Sequence, residues 1–116
     1  MNIQEKLTDR LDNIEQSQEN VIQRIEEIEA ERKRQKCNEL RDRLLQAYRY
    51  YTNPDANPRR AWSEMEASAF WDMFGDYEKN DGDGHMHTVV QPAMRALAVI
   101  PMEEQDKVTE LMQSRR

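Results

Sequence analysis

Apolar residues near the start of the chain fall at Leu7, Leu11, Ile14, Val21, Ile25 and Ile28, in steps of three and four with one step skipped. With Leu7 set as heptad position d, Leu11 and Ile25 fall at a, and Ile14, Val21 and Ile28 at d. Gln4 and Gln18 sit on the same seam at a. So narrow a stripe on a strongly polar helix needs a partner helix. The flanking charges point to which one. Arg10, Arg24 and Glu31 occupy g, and the e residues five positions on, Glu15, Glu29 and Lys36, carry the opposite sign. A parallel, in-register homo-oligomer brings those pairs together. Each exposed pair contributes only about 0.5 kcal/mol, so the charges choose orientation rather than supply stability. β-branched residues at d favour three or four strands over two, with a dimer still open. An antiparallel hairpin against a later helix of the same chain is the alternative.

From Arg32 the seam turns polar, with ERKRQK over residues 31–36. Cys37, Leu40, Leu44, Ala47 and Tyr51 then restart an apolar stripe in another phase, where the first register would bury Glu39 and Asp42. One helix running to about Tyr51 and changing its buried face is the simplest reading. The expected organisation is a coiled-coil oligomerisation stalk over 1–36, a small helical head over 37–102, and a short C-terminal helix or tail over 103–116. The fold class expected is all-α, with no β pattern anywhere.

Asn53-Pro54 and Asn57-Pro58 end the long helix. Ser63 and Glu66 have capping-box spacing, so a helix is predicted to start there, with Met65, Phe70, Met73, Phe74 and Tyr77 as its apolar face and Trp62 and Trp71 flanking it. Asn80-Asp81-Gly82-Asp83-Gly84 stops that helix. A further helix is predicted from about His85 to Leu97, capped by Asp83, with Val89, Val90, Met94, Leu97 and Ala98 inside. Pro92 must kink it, or Thr88 caps a later start. Ile100-Pro101 breaks the chain again, and Val108, Leu111 and Met112 mark a last helix ending in Arg115 and Arg116.

Composition narrows the function. The chain has 116 residues, 37% hydrophobic, 34% charged, with net charge −6. A self-contained core around a buried active site is not expected, and no apolar run approaches the ~20 residues that cross a bilayer. The N-terminus lacks the pattern of a signal peptide. The single cysteine, Cys37, is read as a buried thiol or as a crosslink across a symmetric oligomer. No nucleophile motif, phosphate loop or helical Glu-x-x-His is present. Asp81, Asp83, His85 and His87 form the one cluster resembling a metal site, but residues two apart on a helix diverge, so no metal and no cofactor are expected. Residues 31–60 carry nine Lys or Arg against four acids, and residues 61–116 carry five against eleven. Tyr48, Tyr50 and Tyr51 among those arginines offer a nucleic-acid surface, yet a basic neck beside an acidic head more simply means pairing within or between subunits. The aromatic set Tyr48, Tyr51, Trp62, Phe70, Trp71, Phe74 and Tyr77 is read as head core, or as a docking surface where exposed.

Three stretches carry a resemblance: LLQAYRYYTNP, then WSEMEASAFWDMFGDYEKNDGDGHMHTVVQPAMRAL, then AVIP. Residues 37–102 resemble small, mostly uncharacterised helical proteins of tailed phages and prophages of Gram-positive bacteria. In these a tyrosine-bearing helix precedes a helix ending in a Tyr-x-x-x-Gly-Gly-Asn-Gly-like turn, then a short helix and an aliphatic-Pro close. Asp81-Gly82-Asp83-Gly84 departs from the usual glycine pair. The resemblance implies a phage origin, with genes placed near a tail and lysis cassette, and a location in the cytoplasm of an infected bacterium or in the virion. It implies no mechanism. The expected function is a non-enzymatic coiled-coil homo-oligomer acting as a virion, tail or assembly accessory, with itself and another phage or host protein as partners. The alternatives are an acidic inhibitor of a host defence enzyme, through Glu64, Asp72, Asp76, Glu78, Asp81 and Asp83, and a nucleic-acid-binding oligomer through residues 32–60.

Overall fold

The computed structural model describes residues 2–115. Seven elements follow one another: helix α1 (Ile3–Thr52), strand β1 (Ala61–Ser63), helix α2 (Glu64–Lys79), a π-helical turn (Met86–Val90), helix α3 (Gln91–Arg95), strand β2 (Ala98–Ile100) and helix α4 (Gln105–Ser114). The protein is mostly helical. Its contacts divide it into two units, one up to Arg34 and one from Gln35 onward.

The first unit is helix alone. Asn2 caps it reciprocally: its Oδ1 accepts from the Glu5 N–H at 2.8 Å and its own N–H reaches Glu5 Oε2 at 3.3 Å. No glycine or proline interrupts the run.

The second unit holds the core. Leu40 and Leu44 from α1 are buried with Trp62, Ala67, Phe70, Phe74, Tyr77, Met86, Val90, Met94 and Leu97, while Cys37, Ala47, Tyr48 and Tyr51 pack against them half-buried. Glu39 and Asp42 are exposed, so the buried face beyond residue 36 is the second phase of the sequence pattern. Proline ends α1 as expected, since a residue before proline is driven out of helical backbone. Asn53 Oδ1 then accepts from the Asp55 N–H at 2.9 Å and begins the turn.

Several expectations are corrected. A strand pair is present: β1 and β2 run parallel, with Ala61 opposite Ala98, Trp62 opposite Val99 and Ser63 opposite Ile100. Three-residue strands are too short to leave a periodic trace, and parallel pairing leaves no hairpin signal. Trp62, expected beside the α2 face and among the head-core residues, is one of the most buried side chains of that core and reaches it from β1. Met65 lies outside, 64% exposed, and Ala67 takes its place on the inner face. The helix predicted from His85 to Leu97 is two pieces, the π-turn and α3, with the Gln91 N–H bonded to Met86 O. A ring at Pro92 crowds the carbonyl four residues earlier, and the wider π-turn accommodates it. Val90, Met94 and Leu97 are buried as expected and Met86 joins them, whereas Val89 and, in β2, Ala98 are exposed. Asp83 does not cap that segment, since the cap position is His85 without a side-chain bond. In α4, Leu111 is buried and Met112 is exposed; Arg116 lies outside the described residues.

The turn after α2 wraps around one ring. The Tyr77 hydroxyl donates to Asp83 O at 3.1 Å and accepts from the Asp83 N–H at 3.2 Å. A Cβ at Gly82 would collide with the Tyr77 ring, and Asp81 and Gly84 have φ of 63° and 73°. That geometry accounts for the Tyr-x-x-x-Asp-Gly-Asp-Gly spacing. Asp tolerates the left-handed conformation at Asp81 better than most residues with a Cβ.

Candidate functional site

In the first unit the seam is bare. Leu7, Leu11, Ile14, Val21, Ile25 and Ile28 are 45–59% exposed, and Gln18 is exposed between them. Two further isoleucines widen the stripe. Ile3 at g and Ile22 at e are 77% and 56% exposed; they lie off the a/d spacing. Arg10, Glu15, Arg24 and Glu29 form no ion pair within the chain among the described residues. Glu31 differs, because Arg34 grips its carboxylate at 2.6 and 2.8 Å. Two of the expected g–e matches thus have both members unengaged, while the third has its acid already held within the helix.

The aromatic candidates are mostly interior. Trp62, Phe70, Phe74 and Tyr77 are 1–4% exposed, with Tyr48, Tyr51 and Trp71 half-buried around them. Rings meet in series: Tyr51 and Trp62 at 5.2 Å, Trp62 and Phe70 at 5.4 Å, and Phe70 and Trp71 at 5.0 Å edge-on. Such pairs add about 0.5–1.5 kcal/mol each beyond area burial. They fill the core and present no broad aromatic face.

A polar network closes the second unit around Glu66. The capping box at the start of α2 forms as its spacing predicts. Glu66 Oε1 accepts from the Ser63 N–H at 3.0 Å, and the Ser63 hydroxyl oxygen accepts from the Glu66 N–H at 3.2 Å. Its other oxygen accepts from the Tyr51 hydroxyl at 2.6 Å and Arg115 Nη1 at 2.7 Å. Arg115 Nη2 donates to Ala61 O at 2.9 Å, and the guanidinium lies over the Tyr51 ring at 5.2 Å. Fully buried Asn57 completes it, donating to Tyr51 O at 2.8 Å and Ala61 O at 3.1 Å. Burial by itself raises the Glu66 carboxyl, but hydrogen bonds from Arg115, Tyr51 and the Ser63 N–H outweigh it and hold the group below the usual carboxylate range. Burial, and then the bond to Glu66, push the Tyr51 phenol well above its ordinary value. The Ser63 hydroxyl sits beside a carboxylate, yet Ser63 is 2% exposed and its bonds are those of a helix cap. This network fastens α1, β1, α2 and α4 together.

The remaining chemistry is dispersed. His87 packs edge-on against Phe74 at 5.3 Å with Nε2 3.5 Å from Glu78 Oε2, while His85 is exposed. Among the described residues, no three His, Cys, Asp or Glu side chains gather as a metal site. Tyr50 and Tyr51 lie under the Arg115 guanidinium, and Arg59 pairs with Glu110 at 3.5 Å, which commits part of the basic segment internally. Glu64, Asp72, Asp76, Glu78, Asp81 and Asp83 are all exposed. Among the described residues no helix is long and apolar enough to cross a membrane. No family model, curated protein or solved structure matched the chain in comparison.

Proposed function

We propose that the protein is a non-enzymatic, phage-encoded accessory that assembles as a parallel coiled-coil homo-oligomer through the first unit and carries one copy of the second unit per strand for contact with another protein. A virion, tail or assembly role fits the phage origin that the resemblance of residues 37–102 implies. The observation that carries the reading is the bare seam, six apolar side chains at a/d spacing with complementary charges at its flanks. Burying one such side chain contributes about 1.5–3 kcal/mol, enough in sum for association at micromolar concentration. Light scattering of the full chain checks it. The expected result is a multimer, and the double variant Ile14→Asp/Val21→Asp is expected to be a monomer with unchanged tryptophan fluorescence. A monomeric parent chain would overturn the proposal.

A second reading has its own observation. The exposed acids of α2 and the following turn form a carboxylate-rich surface suited to occupy the phosphate-binding groove of a host nucleic-acid enzyme. Retrieval of such an enzyme from bacterial lysate at low salt, lost on neutralising Asp72 and Asp76, would favour it.

A further inference from the structure

We infer that Gln18 sets the orientation and register of the assembly, forming an amide layer that admits a parallel, in-register second copy of this chain and rejects an antiparallel one. This rests on the homo-oligomer reading and deepens it. The first unit carries a shallow hollow lined by Asn13, Ile14, Ser17, Gln18, Val21 and Ile22. Ile14, Ser17, Gln18 and Val21 stand at d, g, a and d, the four corners of the hole that receives an a-position side chain from a parallel in-register neighbour. In that arrangement the incoming side chain is the neighbour's own Gln18. Its amide meets another amide and the Ser17 hydroxyl. Among the described residues neither Gln18 nor Ser17 uses its side chain in a hydrogen bond within the chain, so both are free to bond there.

The antiparallel competitor that keeps every a residue opposite a d residue has one register. It sets Gln4 against Ile28, Leu7 against Ile25, Leu11 against Val21, and Ile14 against Gln18. Apolar matching in it is nearly as good, so area alone does not choose. Polar matching does. Gln18 would be buried against Ile14 with its amide unpaired. The flanks agree, since antiparallel packing faces g with g and e with e, placing Arg10 opposite Arg24 and Glu15 opposite Glu15. Parallel packing places Arg10 opposite Glu15 and Arg24 opposite Glu29. The hydrophobic seam drives association, and the glutamine layer, helped by the flanking charges, selects its geometry.

Disulfide exchange tests this on full-length chains with Cys37→Ser. Chains bearing Gln4→Cys are mixed with chains bearing Ile28→Cys in a glutathione redox buffer, and the crosslinked species are counted by mass spectrometry. Expected is an excess of 4–4 and 28–28 disulfides over 4–28 of about tenfold or more, the ratio that one unpaired buried polar group produces. Adding Gln18→Leu is expected to raise the thermal midpoint and to raise the share of the mixed disulfide several-fold, the flanking charges keeping part of the parallel preference, while Gln18→Asn keeps the parent pattern. A predominance of 4–28 in the Gln18 chain, or a pattern unchanged by Gln18→Leu, would overturn the inference and leave the oligomer intact. A monomer by light scattering overturns the oligomer and this inference together.

Discussion

Glu66 shows how one side chain can close a small fold. It is the third residue of a helix cap and also the acceptor for a phenol and a guanidinium, and the Glu66 and Arg115 side chains of this pair retain 21% and 7% of their exposure. Removing either partner leaves a mostly desolvated charge. Glu66→Gln and Arg115→Ala are each expected to cost about 2–3 kcal/mol in urea unfolding followed by Trp62 and Trp71 fluorescence. The sign of the pH dependence follows from the depressed carboxyl. Its contribution is present above the carboxyl's unfolded-state value and is lost as pH falls through the lower folded value, so acid unfolding should flatten in Glu66→Gln. Tyr51 acts at the other end. Its raised phenol holds a proton that the unfolded chain releases near pH 10, so stability falls above that pH, and Tyr51→Phe removes that slope. The Ser63–Glu66 half of the network was legible from a three-residue spacing. Its other half was not, because Arg115 lies 49 residues from Glu66 and an arginine beyond a short helix has no local signature.

At the scale of elements, what the sequence revealed depended on how local each cause is. The capping box, the Asn-Pro stops and the phase change after Arg32 rest on near neighbours, and each marks a feature of the structure. The β1–β2 pair joins residues 37 apart along the chain, and its effect, turning Trp62 inward, was invisible from a three-residue segment. The winding before Pro92 moved Met86 inside in place of Val89 through a π-turn, which helical periodicity does not encode. Two glycines, one against the Tyr77 ring and one within α2, give a paired test. Gly82→Ala drives a methyl into that ring and is expected to cost about 1–3 kcal/mol. Gly75→Ala, within α2 and with nothing near its Cβ direction, is expected to gain up to about 1 kcal/mol. Equal effects in urea unfolding would mean that the turn does not depend on its contact with Tyr77.

For the whole molecule, the two units answer to different variables. The second has its own core and network, so its unfolding midpoint is expected to be independent of protein concentration. The first has no core of its own, and its helix signal by circular dichroism should melt at a temperature that rises with concentration, as mass action requires. Salt should shift that melt little, since apolar burial rather than exposed charge supplies most of its stability. The exposed apolar stripe was legible in the sequence because its spacing of three and four repeats. Ile3 and Ile22 were not, because a strict a/d template ignores its flanks. The order of the parts along the chain also bears on synthesis. The seam is complete once Ile28 has left the ribosome, whereas the Glu66 network waits for Arg115. In the proposed oligomer, seams on neighbouring nascent chains of one messenger would pair before any second unit has closed, so assembly on the polysome would join sister chains and keep products of different genes apart.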